Sequence, residues 1–505
     1  MSKTSKIIDV VLCIVAAALT IWIVLIFADA NINHYTAYMD ADVAGETLLA
    51  KACWENGGWQ PDTWFMSTGR EIFAAARLAP FIYPYVEYNL NLSMGIACTI
   101  MVITLVGCML FFNFEIGLTL KESLIMLILS LTLEVPAGSI HKMLYLYGVM
   151  YLGLFITMFF VMAVYARSLR LKKLSLLSIV ALALAVVNGL QGMHASVFIF
   201  MPLLGTEILR RLVLLLQKKK DEAKFVSISA IVYAVTALGC AIFFGTHMYS
   251  DTSRNIRHAP EKFLQEVWPS ITEVFKIGRM QPLIIVFIVL AAVGVALSLR
   301  HLTDTQQVWG AAVIPVEIGV VMISTTFSTV EVAPRYFLPL IFLVAVGLAL
   351  LSHYSNAWIA AIVAVLVITF GTSSGILFDN VLIKNDTSDS SSYMEMARWM
   401  QNKGYEYGYS NFTHASTMTV VANEAVKIRQ LDKFEDLTAM KWLSDATWYP
   451  PFKNDQGPTC YVVSKPRLEE FGVFLKNNNP TIVEQKEFGD FVVFVLDKDY
   501  THLDI

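Results

Sequence analysis

Charge is scarce in this sequence. Of 505 residues only 15% are Asp, Glu, Lys or Arg, while 56% are hydrophobic and the mean hydropathy is +0.58. Soluble domains carry about 25% charged residues, so the composition excludes an ordinary soluble enzyme and points to a polytopic membrane protein. A basic excess is missing too. The formal net charge is −4 with no basic stripe, which excludes nucleic acid as a partner. Cysteine is sparse, six in all, with no CxxC or Cys/His spacing, so no zinc site is expected. Cys13, Cys98, Cys108 and Cys240 lie inside apolar runs and read as small hydrophobes. Cys53 and Cys460 fall in polar segments expected on one side of the membrane, and a disulfide between them stays open on spacing alone.

What the chain does have is long apolar runs. Eleven reach spanning length, at about 8–28, 91–112, 122–138, 146–166, 174–188, 197–216, 225–245, 281–299, 308–326, 337–352 and 357–377. The first has an apolar core too long for a signal peptide and reads as a retained span. Lys and Arg set the orientation. With a cytoplasmic N-terminus, the inner loops hold "RSLRLKK", "KKKDEAK", Arg210, Arg211 and Arg300, and the short outer loops hold only Lys142 and Arg335. The expected fold class is therefore an α-helical polytopic membrane protein of about eleven spans. Residues 1–378 form its membrane domain, with a long first outer loop (29–89) and an outer loop over 246–280. Residues 379–505 form a small extracytoplasmic α/β domain.

Most residues able to do chemistry collect on the outer side. "YMDADVAGE" places Asp40, Asp42 and Glu46 within seven residues. From Asp42, "DVAGETLLAKACWENGG" has helical spacing and ends at "NGG", so an aspartate here has two readings: a helix N-cap, or part of a site. Asp42 and Glu46 are spaced i,i+4 and share a face of that helix. Farther on, Arg70 and Arg77 stand among Trp64, Phe65, Tyr83 and Tyr85. Such a set serves either as an interfacial aromatic belt or as a phosphate-holding arginine among aromatics.

Elsewhere, Glu317 in "AAVIPVEIGVVM" is the acid lying clearly mid-span, either a proton or substrate site or a packing acid beside the Pro315 kink. Phe263, Val267, Ile271 and Phe275 recur every four residues, as in a helix with one apolar face. A lid over a lipid and plain packing are both open for it. In the C-terminal region, "YMEMARWMQNKG" and "PRLEEFGVFLKNN" read as helices. "YEYGYSNF", "AVKIRQL", "PTCYVVS" and "DFVVFVLD" read as strands. That domain carries no nucleophile elbow or P-loop.

Taken together, a D-x-D in the first outer loop, "WFMST" from Trp64 to Thr68, the small-residue turn "NGLQGMHAS" and "APRYFLPL" at the outer end of a late span resemble the GT-C superfamily of integral-membrane glycosyltransferases. Gly69-Arg70 departs from the pattern where an acid is expected, and no role is carried onto it. The resemblance implies transfer of a sugar from a polyprenyl-phosphate donor to an envelope polysaccharide, glycolipid or protein acceptor. It implies Asp40 as the base with Asp42 the competitor, Glu46 in support, and Arg335 with Tyr336 at the donor phosphate. Arg77, His141 and Lys142 are further substrate-binding candidates, and His194 is another nearby cation. A divalent cation, Mg or Mn on Asp40, Asp42 and Glu46, is an option that the carboxylates alone do not decide. A lipid-linked-sugar transporter centred on Glu317, and an inactive envelope-assembly protein, are the competing readings.

Overall fold

The computed structural model describes residues 3–37, 39–67, 72–133, 145–146, 151–216, 218, 223–244, 259–275, 281–300, 305–328, 331–452 and 457–503. The described part of each of the eleven apolar runs falls mainly on a helix. These helices are Lys3–Asn33, Leu90–Glu115, Leu120–Thr132, Leu152–Leu171, Leu176–Gln191, Met201–Leu216, Lys224–Phe243, Gln281–Arg300, Thr305–Phe327, Pro339–Tyr354 and Ala357–Phe378. Among the described residues, eight helices are long and apolar enough to cross a membrane. The helices Leu120–Thr132, Leu176–Gln191 and Met201–Leu216 have 13, 16 and 16 described residues, short of the ~20 that a 30 Å hydrocarbon layer asks for. The chain is a multi-pass membrane protein.

It divides into two compact units. The first comprises Met1–Phe27, Gly69–Phe73 and Ile100–Val381. Its central helix, Pro339–Tyr354, is buried over nearly its whole length, which explains why its sequence is apolar on every face. Small residues let neighbouring helices close up. A Cβ on Gly294 would come within 2.0 Å of the Gly347 carbonyl oxygen, and one on Gly189 within 2.5 Å of the Ala237 carbonyl oxygen. The face expected at Phe263, Val267, Ile271 and Phe275 forms as Ala259–Lys262, a π-turn over Phe263–Val267, and Trp268–Val274, with Val267 and Phe275 buried.

The second unit is built from Ala28–Thr68, Ala74–Thr99 and Leu382–Ile505. It is larger than residues 379–505, because much of the expected first outer loop belongs to it. Strand β1 (Trp64–Phe65) pairs antiparallel with a late two-residue strand, Ser444–Asp445, and a Cβ on Gly45 would lie 2.8 Å from Leu443 Cβ. In chain order the remaining strands are β2 (Tyr407–Asn411), β3 (Lys427–Leu431), β4 (that Ser444–Asp445 strand), β5 (Thr459–Ser464), β6 (Ile482–Phe488) and β7 (Phe491–Leu496). The main sheet has the order β3-β2-β5-β7-β6. β2 is parallel to β3 and β5, while β7 is antiparallel to β5 and β6. Apolar clusters cover both faces: Met396, Met400 and Met418 pack on one, Phe471 and Phe474 on the other. Double coverage is why β5 and β7 are buried at every residue. The helix Ser392–Lys403 starts on Ser391, whose side chain accepts the Met394 N–H, and stops at Gly404 with φ +74°.

Candidate active site

"ADVAGETLLAKACWE" is helical from Ala41 to Glu55 because its termini are specified on both sides. Asp40, in extended conformation, accepts the Val43 N–H on Oδ1 at 3.0 Å. Asp42 adds a negative charge to the first turn, where the helix dipole favours one. Asn56 caps the other end, followed by Gly57 and Gly58 at φ +69° and +95°. The N-cap reading of Asp40 is thus realised, through Oδ1; Oδ2 is not part of the cap.

One turn after Asp42, the helix turns Glu46 inward. It is 1% exposed, and neither carboxylate oxygen has a hydrogen-bond partner. Burial pushes its carboxyl up to about 7, against the pull of the Arg77 guanidinium and with the Asp42 charge adding to the rise. Arg77 comes from the helix Ala75–Ile82. It donates through Nη1 to Cys53 Sγ at 2.8 Å and through Nη2 to Gln60 Oε1 at 2.7 Å. Cys53 and Cys460 are both free and buried, so the disulfide left open by the sequence is not formed. Cys53 faces Arg77, and Cys460 belongs to the sheet core. Burial raises the Cys53 thiol despite Arg77, which makes it a poor nucleophile. Asp42, Glu46 and Arg77 therefore act on one another electrostatically. A carboxyl near neutrality that can hold or release a proton is what acid–base chemistry requires. Among the described residues no group of three His, Cys, Asp or Glu side chains is placed to hold a metal ion.

In the first unit, "APRYFLPL" forms a short 3₁₀ turn, Pro334–Phe337, leading into the helix Pro339–Tyr354. Arg335 is half-buried, with Cζ 5.8 Å from the Tyr336 ring centroid. The His194 ring lies 6.3 Å from that of Tyr336. Desolvation by the surrounding protein, and after it the Arg335 guanidinium, lowers His194 from its usual value, although its side chain is solvent-accessible. The helix Trp268–Val274 packs beside the same turn. A guanidinium beside an aromatic ring and an imidazole is a donor set suited to a phosphate. Arg70, His141 and Lys142 lie outside the described residues.

No protein-family model matches the sequence, and no curated protein does. Solved structures do match. ArnT from Cupriavidus metallidurans in the apo state is 12% identical with a TM-score of 0.55, covering 95% of this chain and 98% of that one. The same protein bound to undecaprenyl phosphate is 11% identical with a TM-score of 0.57, covering 95% and 97%. The fold is of the GT-C type. At such identity the likeness is one of fold, and it runs through nearly the whole length of both chains. The GT-C fold is the class expected from the D-x-D and Arg-Tyr motifs.

Sequence reasoning missed two features. The i,i+4 spacing puts Glu46 on a face with Asp42, but nothing local says that the face is buried or that Arg77 approaches it. His194 was named as a nearby cation, but its ring contact with Tyr336 was hidden, because the two residues lie far apart in sequence.

Proposed function

We propose that this protein is a membrane glycosyltransferase that moves a sugar from a polyprenyl-phosphate donor to an envelope acceptor on the outer face of a bacterial plasma membrane. The observation that carries the reading is a GT-C-type fold matched over 95% of the chain. One of the matched structures holds undecaprenyl phosphate, which supports a lipid of that class as the donor's carrier. The N-terminus is cytoplasmic on this reading and the C-terminal unit extracytoplasmic, following the distribution of Lys and Arg.

In the reaction an acceptor hydroxyl attacks the anomeric carbon, the bond from that carbon to the phosphate oxygen breaks, and the hydroxyl proton passes to a carboxylate. Attack opposite the leaving group inverts the anomeric centre. Asp40 Oδ2 takes the proton, with Asp42 as the alternative base. Glu46 sets the local charge, since it is neutral or ionised according to pH near 7. Arg335, with Tyr336 beside it, neutralises the departing polyprenyl phosphate.

The test measures release of polyprenyl phosphate from labelled polyprenyl-phosphate sugars by purified protein in lipid. Sugar-dependent turnover that is lost in Asp40→Asn or Asp42→Asn, with folding intact, identifies the base. Turnover that survives in both variants removes the assigned site. No turnover with any donor, alongside Glu317-dependent passage of lipid-linked sugar across vesicles, replaces the enzyme by a transporter. Inactivity in both assays leaves the assembly-protein reading in its place.

A further inference from the structure

The second unit contains a cleft of 410 Å³, within the roughly 300–1,000 Å³ range of small-molecule sites. Arg429, in β3, lines it and is 5% exposed. Its Cζ lies 3.9 Å from the Trp448 ring centroid and 6.0 Å from that of Tyr407. The platform under the guanidinium is fixed from two sides. The Tyr407 hydroxyl donates to the Trp448 carbonyl oxygen at 2.6 Å, and Trp64 stands edge-on to Trp448 at 5.4 Å. Yet Nε and Nη1 of this buried guanidinium have no hydrogen-bond partner. Stacking on an aromatic face compensates part of the lost hydration and satisfies no N–H.

Other charges around the cleft are already engaged or complementary. Lys51 is bonded to Glu424 and lies 3.6 Å from Glu55. Asp445 Oδ1 accepts both the N–H and the hydroxyl of Thr447, at 2.9 and 2.8 Å. Lys427 lines the cleft and is exposed. The walls thus combine one rigid, under-bonded guanidinium with several oxygen acceptors. A simple anion would use the first and be repelled by the second. A ligand with one oxyanion and many hydroxyls would use both.

We propose that this cleft binds a saccharide carrying a carboxylate or phosphate, with the oxyanion on Arg429 and Lys427 and the hydroxyls on Glu55 and Asp445. That this saccharide is part of the acceptor rests on the glycosyltransferase reading; its binding does not. No residue of the cleft is among those assigned to the transfer step.

The experiment is calorimetric titration of the full-length protein in lipid nanodiscs with four probes: tetragalacturonate, glucose 6-phosphate, neutral maltotetraose and inorganic phosphate. Wild type should bind at least one sugar anion about tenfold or more tighter than maltotetraose and than inorganic phosphate, with affinity falling as salt rises. The preferred anion tells carboxylate from phosphate. Arg429→Gln should abolish the preference. Arg429→Lys, which keeps charge and loses the planar fork, should weaken binding by about fivefold or more, and serves if the glutamine variant fails to fold. Asp40→Asn should bind like wild type whether or not it turns over donor, so failure of catalysis and failure of this site are read separately. Equal binding of maltotetraose and the sugar anions overturns the proposal, as does wild-type affinity in both Arg429 variants. Binding of inorganic phosphate as tight as that of the sugar anions also overturns it, by removing the saccharide.

Discussion

Two helices of this protein each bury a glutamate whose carboxylate oxygens have no hydrogen-bond partner: Ala41–Glu55 with Glu46, and Thr305–Phe327 with Glu317, each 1% exposed. Their surroundings differ. Glu46 has an arginine and a second carboxylate acting on it. Glu317 borders a cavity of 20 Å³ lined by Phe112, Met158, Phe159, Phe342 and other apolar side chains, room for about one water. Burial alone therefore does not mark an active carboxylate. What separates the two is whether other charged groups share the space. Glu46 shares its space with charged groups, and Glu317 sits among apolar side chains.

The largest test of this contrast is catalytic. Asn caps a helix as well as Asp does, so Asp40→Asn keeps the N-cap and removes only the carboxylate charge. Turnover should fall about 10²–10⁴-fold in Asp40→Asn, or in Asp42→Asn if that residue is the base, whereas Glu317→Gln should turn over like wild type. A donor-release assay showing Glu317→Gln as the crippled variant would reverse the comparison. Arg335→Ala should cost about 10²–10³-fold, read in the same assay as a fall in the rate of polyprenyl-phosphate release.

The next effect is on stability. Glu46 prefers its neutral form in the fold, and in the unfolded chain it ionises from its ordinary 4.5 upward. Its contribution is complete below pH 4.5 and is lost as pH rises to about 7. The loss amounts to about 3 kcal/mol, from ~1.4 kcal/mol for each unit between the two values. Thermal melts of nanodisc-held wild type should decline across that window, and those of Glu46→Gln should not. Parallel profiles for the two proteins would mean that Glu46 is solvated after all. Smallest is the cap itself. Asp40→Ala should be less stable than Asp40→Asn by about 1 kcal/mol, and equal melting points would show that the cap bond contributes nothing.

The fold was legible wherever it depends on local pattern. Long uncharged runs fix the helices of the first unit, and the "NGG" stop together with an aspartate start fix Ala41–Glu55. Four of the sheet strands follow from their apolar composition. β6 does not, because "IVEQKEF" is an edge strand and carries charges that discourage further pairing. The helix Phe412–Val421 was hidden by its Thr and Val content, which tertiary packing overrides. At the site, the acids and Arg335 were visible as residue types. The burial of Glu46, the approach of Arg77 and the stacked Arg429 were not, since each depends on segments far apart in sequence.

The composition of the second unit also sets a schedule for making the protein. Lys51 and Glu424, which bond to each other, are separated by 373 residues, and β1 can pair only after β4 has been synthesised. During translation the segment carrying Asp40, Asp42 and Glu46 is among the first to emerge, and part of its packing comes last, because every helix of the first unit after Ile100 is made in between. Long-range closure of this kind is slow and comes late in folding. A chain cut short before its final sheet would keep all three carboxylates and Arg77 but lose the packing of the helix Phe412–Val421 on Ala41–Glu55. In a nascent or truncated chain the helix Ala41–Glu55 lacks the Lys51–Glu424 bond, and β1 lacks its partner strand.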